Sequence, residues 1–80
     1  MKSVTPESGK LILQNLSGLS HYVSVNGTRH LVSPGRTEIW IPRAIVEVYL
    51  PHHESPKLWG MSNWKWTGQH HEMLINIRGH

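Results

Sequence analysis

Seven His residues in an 80-residue chain are the first feature with chemical potential, and four of them form two adjacent pairs, His52-His53 and His70-His71. A zinc ion needs three or four side chains converging at about 2.0–2.2 Å. Neighbours on an extended chain point to opposite sides, so each pair offers one ligand. Glu54 or Glu72 would complete such a site if the segment after Leu50 lay beside the last strands. The spacing matches no zinc motif of the H-E-x-x-H kind, and His residues in solvated turns give the same pattern. Protonating all seven in mildly acidic solution adds seven charges to the formal +3, giving +10.

Four Trp residues form the second candidate. A flat indole gains contact area on a sugar ring or a protein partner at low entropic cost. Trp64 and Trp66 share a face if Asn63 to Thr67 is a strand, and Trp59 precedes them. Tyr22, Trp40 and Tyr49 are expected to point outward on neighbouring strands, which makes an exposed aromatic patch there the sharper expectation. The candidate partner-binding set is therefore Tyr22, Trp40, Tyr49, Trp59, Trp64 and Trp66. The competing use of the Trp residues is bulk: with no Phe in the chain, at least two of the four are expected to fill the core.

Catalysis finds no support. Ser17, Ser20, Ser24, Ser33, Ser55 and Ser62 lack a G-x-S-x-G elbow, and the chain has no Asp for a Ser-His-Asp triad. His53-Glu54 and His71-Glu72 are sequence neighbours, which rarely face one cleft. No Gly-rich loop offers to cradle a phosphate. We read the chain as non-enzymatic and as needing no cofactor.

The elements that must position these residues are short strands. Pro and Gly interrupt every window in which a helical period might run. Leu11 to Gln14 is the first apolar run. Tyr22 to Val25 alternates and meets Asn26-Gly27, the strongest short hairpin signal, with Thr28 to Val32 returning. After the Pro34-Gly35 turn, Thr37 to Ile41 and Ala44 to Leu50 alternate again, and the strands from Tyr22 onward are expected to form a meander. Pro51 to Gly60 has no period and reads as the longest irregular loop. Asn63 to Thr67 and Met73 to Ile77 are expected to pair as a final hairpin.

The predicted fold is all-β: a small antiparallel β-sandwich or partly open barrel of about six to seven short strands over residues 11–78, after a flexible segment 1–10. Its expected core is Leu11, Leu13, Val23, Val25, Leu31, Ile39, Ile41, Val46, Val48, Leu50, Ile75 and Ile77, with Met73 also facing inward.

Eight Lys and Arg against five acidic residues make the chain basic, yet the cations are scattered singly and form no phosphate-tracking stripe, which argues against nucleic acid. No apolar run reaches membrane-spanning length, so no membrane insertion is expected, and Met1 to Lys10 is too polar for a signal peptide. The absence of Cys excludes disulfides, thiol chemistry and Cys-based zinc sites. Charged residues make up 16%, below the usual share, with Ser, Thr, Asn, Gly and His in their place. Such surfaces are common in extracellular or envelope modules; the chain is expected to be either cytoplasmic or a piece of a longer exported protein, and the linker-like composition of Lys2 to Gly9 favours the piece.

Val23-Ser24-Val25-Asn26-Gly27, then Leu31-Val32-Ser33-Pro34-Gly35-Arg36-Thr37, Ile39-Trp40-Ile41-Pro42 and Val46-Glu47-Val48-Tyr49-Leu50 resemble the cadence of PEGA-type and carboxypeptidase-regulatory-like modules. The resemblance covers residues 22–50 and departs where Pro42-Arg43-Ala44 replaces a strand-opening Gly. It implies a small prealbumin-like sandwich with a binding or spacing role, and it transfers no site residues. The expected function is thus a non-catalytic interaction module that binds a protein or carbohydrate through an aromatic surface. A zinc-responsive domain using His52, His53, His70 and His71 is one alternative. A structural module that self-associates through edge strands, Thr28 to Val32 among them, is another.

Overall fold

A computed structural model describes residues 8–42, 45–51 and 53–78. It is all-β: two four-stranded sheets face each other and do not close into a barrel. The strands are β1 (Ser8–Asn15), β2 (His21–Val25), β3 (Thr28–Val32), β4 (Gly35–Pro42), β5 (Val46–Tyr49), β6 (Lys57–Trp59), β7 (Lys65–Trp66) and β8 (His71–Ile77). The flexible segment expected at the N-terminus, as far as residue 7, and the start of the Ala44 strand lie outside the described residues. Ser8, Gly9 and Lys10, placed in that segment by sequence, belong to β1.

The first sheet runs β4-β1-β8-β7 and the second β3-β2-β5-β6. The predicted meander is therefore corrected. β2 and β3 form the expected hairpin, but the chain then crosses between sheets. β4 pairs with β1 over eight residues, and β5 returns to pair with β2. Alternation alone cannot see this, because an amphipathic strand satisfies either sheet equally. β1 and β8 run parallel, the one departure from the antiparallel pattern among the described residues. The loop predicted from Pro51 to Gly60 contains β6, whose three residues are too few to carry a period.

The β2–β3 turn follows from its residues. A type I′ turn needs positive φ at both central positions, and Asn26 (φ 51°) and Gly27 (φ 86°) supply it. Asn26 also ties the turn to β5: its N–H donates to the Glu47 carbonyl at 2.8 Å, and its Oδ1 accepts from the Glu47 N–H at 2.9 Å.

Between the sheets lies one core of Leu11, Leu13, Val23, Val25, Val32, Val46, Val48, Leu50, Trp64, Met73, Ile75 and Ile77. Ile39, Ile41 and Trp59 pack half-buried against it. Leu31, expected inside, is 58% exposed, and Val32 takes its place. The two-residue turn decides this, since Val25 opposite Thr28 sets Tyr22 opposite Leu31 and His21 opposite Val32. Asn15 is the buried polar residue and is well partnered. Its Nδ2 donates to the carbonyls of Leu19 (2.7 Å) and Val32 (3.1 Å), and its Oδ1 accepts from Ser17 N–H and Oγ–H. The bond to Val32 joins the first sheet to the second.

Candidate functional site

Three surfaces can be built from the strands upward: the outer face of each sheet, and the open side of the sandwich between β6 and β8.

On the first sheet, β1 register sets Lys10 between Trp40 of β4 and Glu72 of β8. Lys10 Nζ lies 3.7 Å from Glu38, 3.6 Å from Glu72 and 5.7 Å from the Trp40 ring centroid. His70 Nε2 is 2.7 Å from Glu72 Oε2, and the Trp40 and His70 rings meet edge to face at 5.2 Å. The hydrogen bond from His70 holds the Glu72 carboxyl below its ordinary pKa; partial desolvation opposes the shift and the Lys10 charge adds to it. Ile12, two residues along β1 and on the same outward face as Lys10, lies between Glu38 and Leu74 and is only 5% exposed. Long charged side chains cover apolar surface with their stems, so Ile12 is sealed, while Trp40 and Leu74 on the same face stay about half exposed.

On the second sheet the outward residues are Leu31, Tyr22 and Arg29, then Ser24, Tyr49, Glu47 and Leu58. Tyr22 is 60% exposed, with Leu31 opposite it and Tyr49 on the next strand also exposed, and Leu58 is exposed farther along the same face, opposite Glu47. The Arg29 guanidinium lies 5.0 Å from the Tyr22 ring centroid, and the Tyr49 hydroxyl donates to the Glu54 carbonyl at 3.3 Å. A shallow depression of about 290 Å³ is lined by Tyr22, Ser24, Arg29, Tyr49, Leu50, Pro51 and His53.

The third surface arises because β7 is only two residues long and covers β8 only at His71 and Glu72. Past that point the sandwich opens into a cleft of about 520 Å³, floored by Leu50, Trp59, Ile75 and Ile77 and rimmed by His53, Lys57 and Arg78. Lys57 Nζ sits 4.4 Å from the Trp59 ring centroid. Trp59 Nε1 is buried with no acceptor among the described residues. Leu50, Pro51 and His53 line both the cleft and the shallow depression, so the two are continuous.

The predicted aromatic set therefore separates. Tyr22 and Tyr49 do share an exposed face. Trp40 does not join them, because β4 belongs to the other sheet. Trp64 is 7% exposed and part of the core, where its indole covers Gly9; a Cβ there would lie 2.5 Å from Trp64 Cζ3. Trp66 is 62% exposed, with its ring 5.0 Å from that of His71 across the strand pair. Trp64 and Trp66 thus form no common platform.

His53 and the pair His70-His71 are not brought together at β8. His70 and His71 stand at its start, whereas His53 lines the cleft with Leu74 to Arg78. His52 lies outside the described residues. No group of three His, Cys, Asp or Glu side chains converges among the described residues.

Arg29, Leu31 and Leu58 were not singled out by sequence. The hairpin register was the available signal for Leu31, whereas Leu58 sits in a strand of three residues. No helix among the described residues is long and apolar enough to cross a membrane. Comparison of the chain with family models, with curated proteins and with solved structures finds no match.

Proposed function

We propose that this chain is a non-catalytic interaction module that binds a protein partner through the outer face of its second sheet. The observation that carries the reading is the grouping of Tyr22, Leu31 and Tyr49 on one exposed face with Arg29 stacked on Tyr22. Tyr and Arg are the residues that most often dominate binding energy at protein interfaces. Stacking occupies one side of the Tyr22 ring and leaves the guanidinium edge able to take a carboxylate, so the partner that suits this face is apolar around an acidic group. A sugar platform would instead need the aromatic faces clear.

The test is a titration of the ¹⁵N-labelled chain with acidic aromatic peptides and, separately, with cell-wall glycans. Shifts at Tyr22, Ser24, Leu31 and Tyr49 with the peptides, lost in a Tyr22→Ser, Tyr49→Ser variant of unchanged Tm, support the proposal. Shifts with glycans alone, or with neither, overturn it.

A further inference from the structure

The edge of β8 carries an inference that goes beyond the outer face. Residues on a strand send their N–H and C=O groups alternately to either side. The Ile77 carbonyl accepts from Leu16 N–H at 2.7 Å, so Ile77, Ile75 and Met73 address β1. The His70 carbonyl accepts from Thr67 N–H at 2.9 Å, on the β7 side. By the same alternation Leu74 and Asn76 present their backbone groups to the β7 side. There β7 has already ended, and no strand among the described residues pairs with them. An unpaired strand edge is a template for an added strand.

Three further features sit beside that edge. The cleft is floored by Leu50, Trp59, Ile75 and Ile77, which would receive every second side chain of an added strand. Its rim offers Lys57, Arg78 and the His53 imidazole, and its described lining holds no carboxylate. A second copy paired through the same edge would bring two such cationic rims together, and like charges facing each other are destabilising.

We propose that the free edge of β8 is a strand-addition site for an extended peptide in which apolar residues alternate with acidic ones. The apolar side chains enter the cleft beneath Lys57, the carboxylates on the opposite face of the peptide meet Arg78, which shares the outward side of β8 with Leu74 and Asn76, and the peptide backbone pairs with Leu74 and Asn76.

The probe is a short capped peptide of alternating Val and Glu, added to the ¹⁵N-labelled chain. Its two controls are a Val and Lys peptide and the Val and Glu peptide N-methylated on alternate residues. Expected are downfield shifts and at least tenfold slower hydrogen exchange at the Leu74 and Asn76 amides, with affinity reduced about tenfold or more by either control. Asn76→Pro should abolish binding, because it removes a donor that faces away from β1. The Tyr22→Ser, Tyr49→Ser variant should still bind, which separates this proposal from the preceding one. Unperturbed Leu74 and Asn76 amides, or an equal response to the N-methylated or Val and Lys peptide, would overturn it. So would protection of the same amides that tracks protein concentration and a dimer in sedimentation, which would assign the edge to a second copy. The peptide controls use the unaltered chain, so the outcome does not depend on how well Asn76→Pro folds.

Discussion

β1 and β8 lie side by side in the first sheet, yet they do different work. β1 is paired along its whole length, by β4 on one side and β8 on the other. At one end its Gly9 seats Trp64, and at the other its Asn15 bonds across to the second sheet. β8 is equally buried on its inner side through Met73, Ile75 and Ile77, but beyond Glu72 only β1 pairs with it. Side-chain burial and backbone pairing are thus separable. A strand can be fully committed to the core and still hold a row of backbone groups available to a partner.

Proline substitution breaks the comparison most sharply. The Gln14 N–H addresses β8, so Gln14→Pro should remove a ladder bond in a central strand and cost about 3 kcal/mol or more. For a domain of this size, with a net stability of roughly 4–12 kcal/mol, that approaches loss of the fold in a urea titration. Asn76→Pro, with its N–H at the open edge, should cost under about 1 kcal/mol. Equal losses would show that β8 is paired on both sides and would remove the asymmetry.

The two ends of β1 give the next effects. Gly9→Ala places a methyl group against the Trp64 indole and should cost about 1–3 kcal/mol by overpacking. The same substitution in a Trp64→Leu background should cost less, and that coupling, measured as a double-mutant cycle, tests whether the contact is the cause. Asn15→Leu removes the side-chain donor to the Val32 carbonyl and the acceptor of the Ser17 N–H and should cost about 1–3 kcal/mol. Each would lower Tm by roughly 4–8 °C per kcal/mol.

The smallest effect lies on the outward side of the same two strands, at the Lys10–Glu72 pair. Because the folded pKa of Glu72 is depressed, its contribution is present above the ordinary carboxylate range and is lost as the pH falls through the folded value. Glu72→Gln should flatten that limb of the stability-against-pH curve and leave it unchanged at neutral pH in shape. Glu72 should also titrate below the ordinary glutamate range in a carboxyl-detected NMR titration.

Much of the second sheet was legible in the chain. Val23 and Val25 face inward, Tyr22 and Tyr49 face outward, and Asn26-Gly27 turns the hairpin, because alternation and turn chemistry are local. Leu31 was legible too, had the two-residue turn been followed to its register consequence. The aromatic site was legible only in part. Whether Trp40 stands beside Tyr22 depends on which sheet β4 joins, and an alternating strand carries no mark of that choice. Trp64 and Trp66 obey the same alternation, so their different burial is decided by tertiary packing.

By itself, then, the sequence determined an all-β chain of short strands, the hairpin at Asn26-Gly27, the absence of thiol chemistry and the set of aromatic residues from which a surface is built. These follow from backbone sterics and period-two burial, which act between near neighbours. Only the tertiary structure decided the crossing of β4 into the first sheet, the parallel pairing of β1 with β8, the seat of Trp64 on Gly9 and the free edge at Leu74 and Asn76. Those depend on hydrogen bonds and packing between segments distant in the chain, where each strand's partner is chosen by the competition of all the others for the same core.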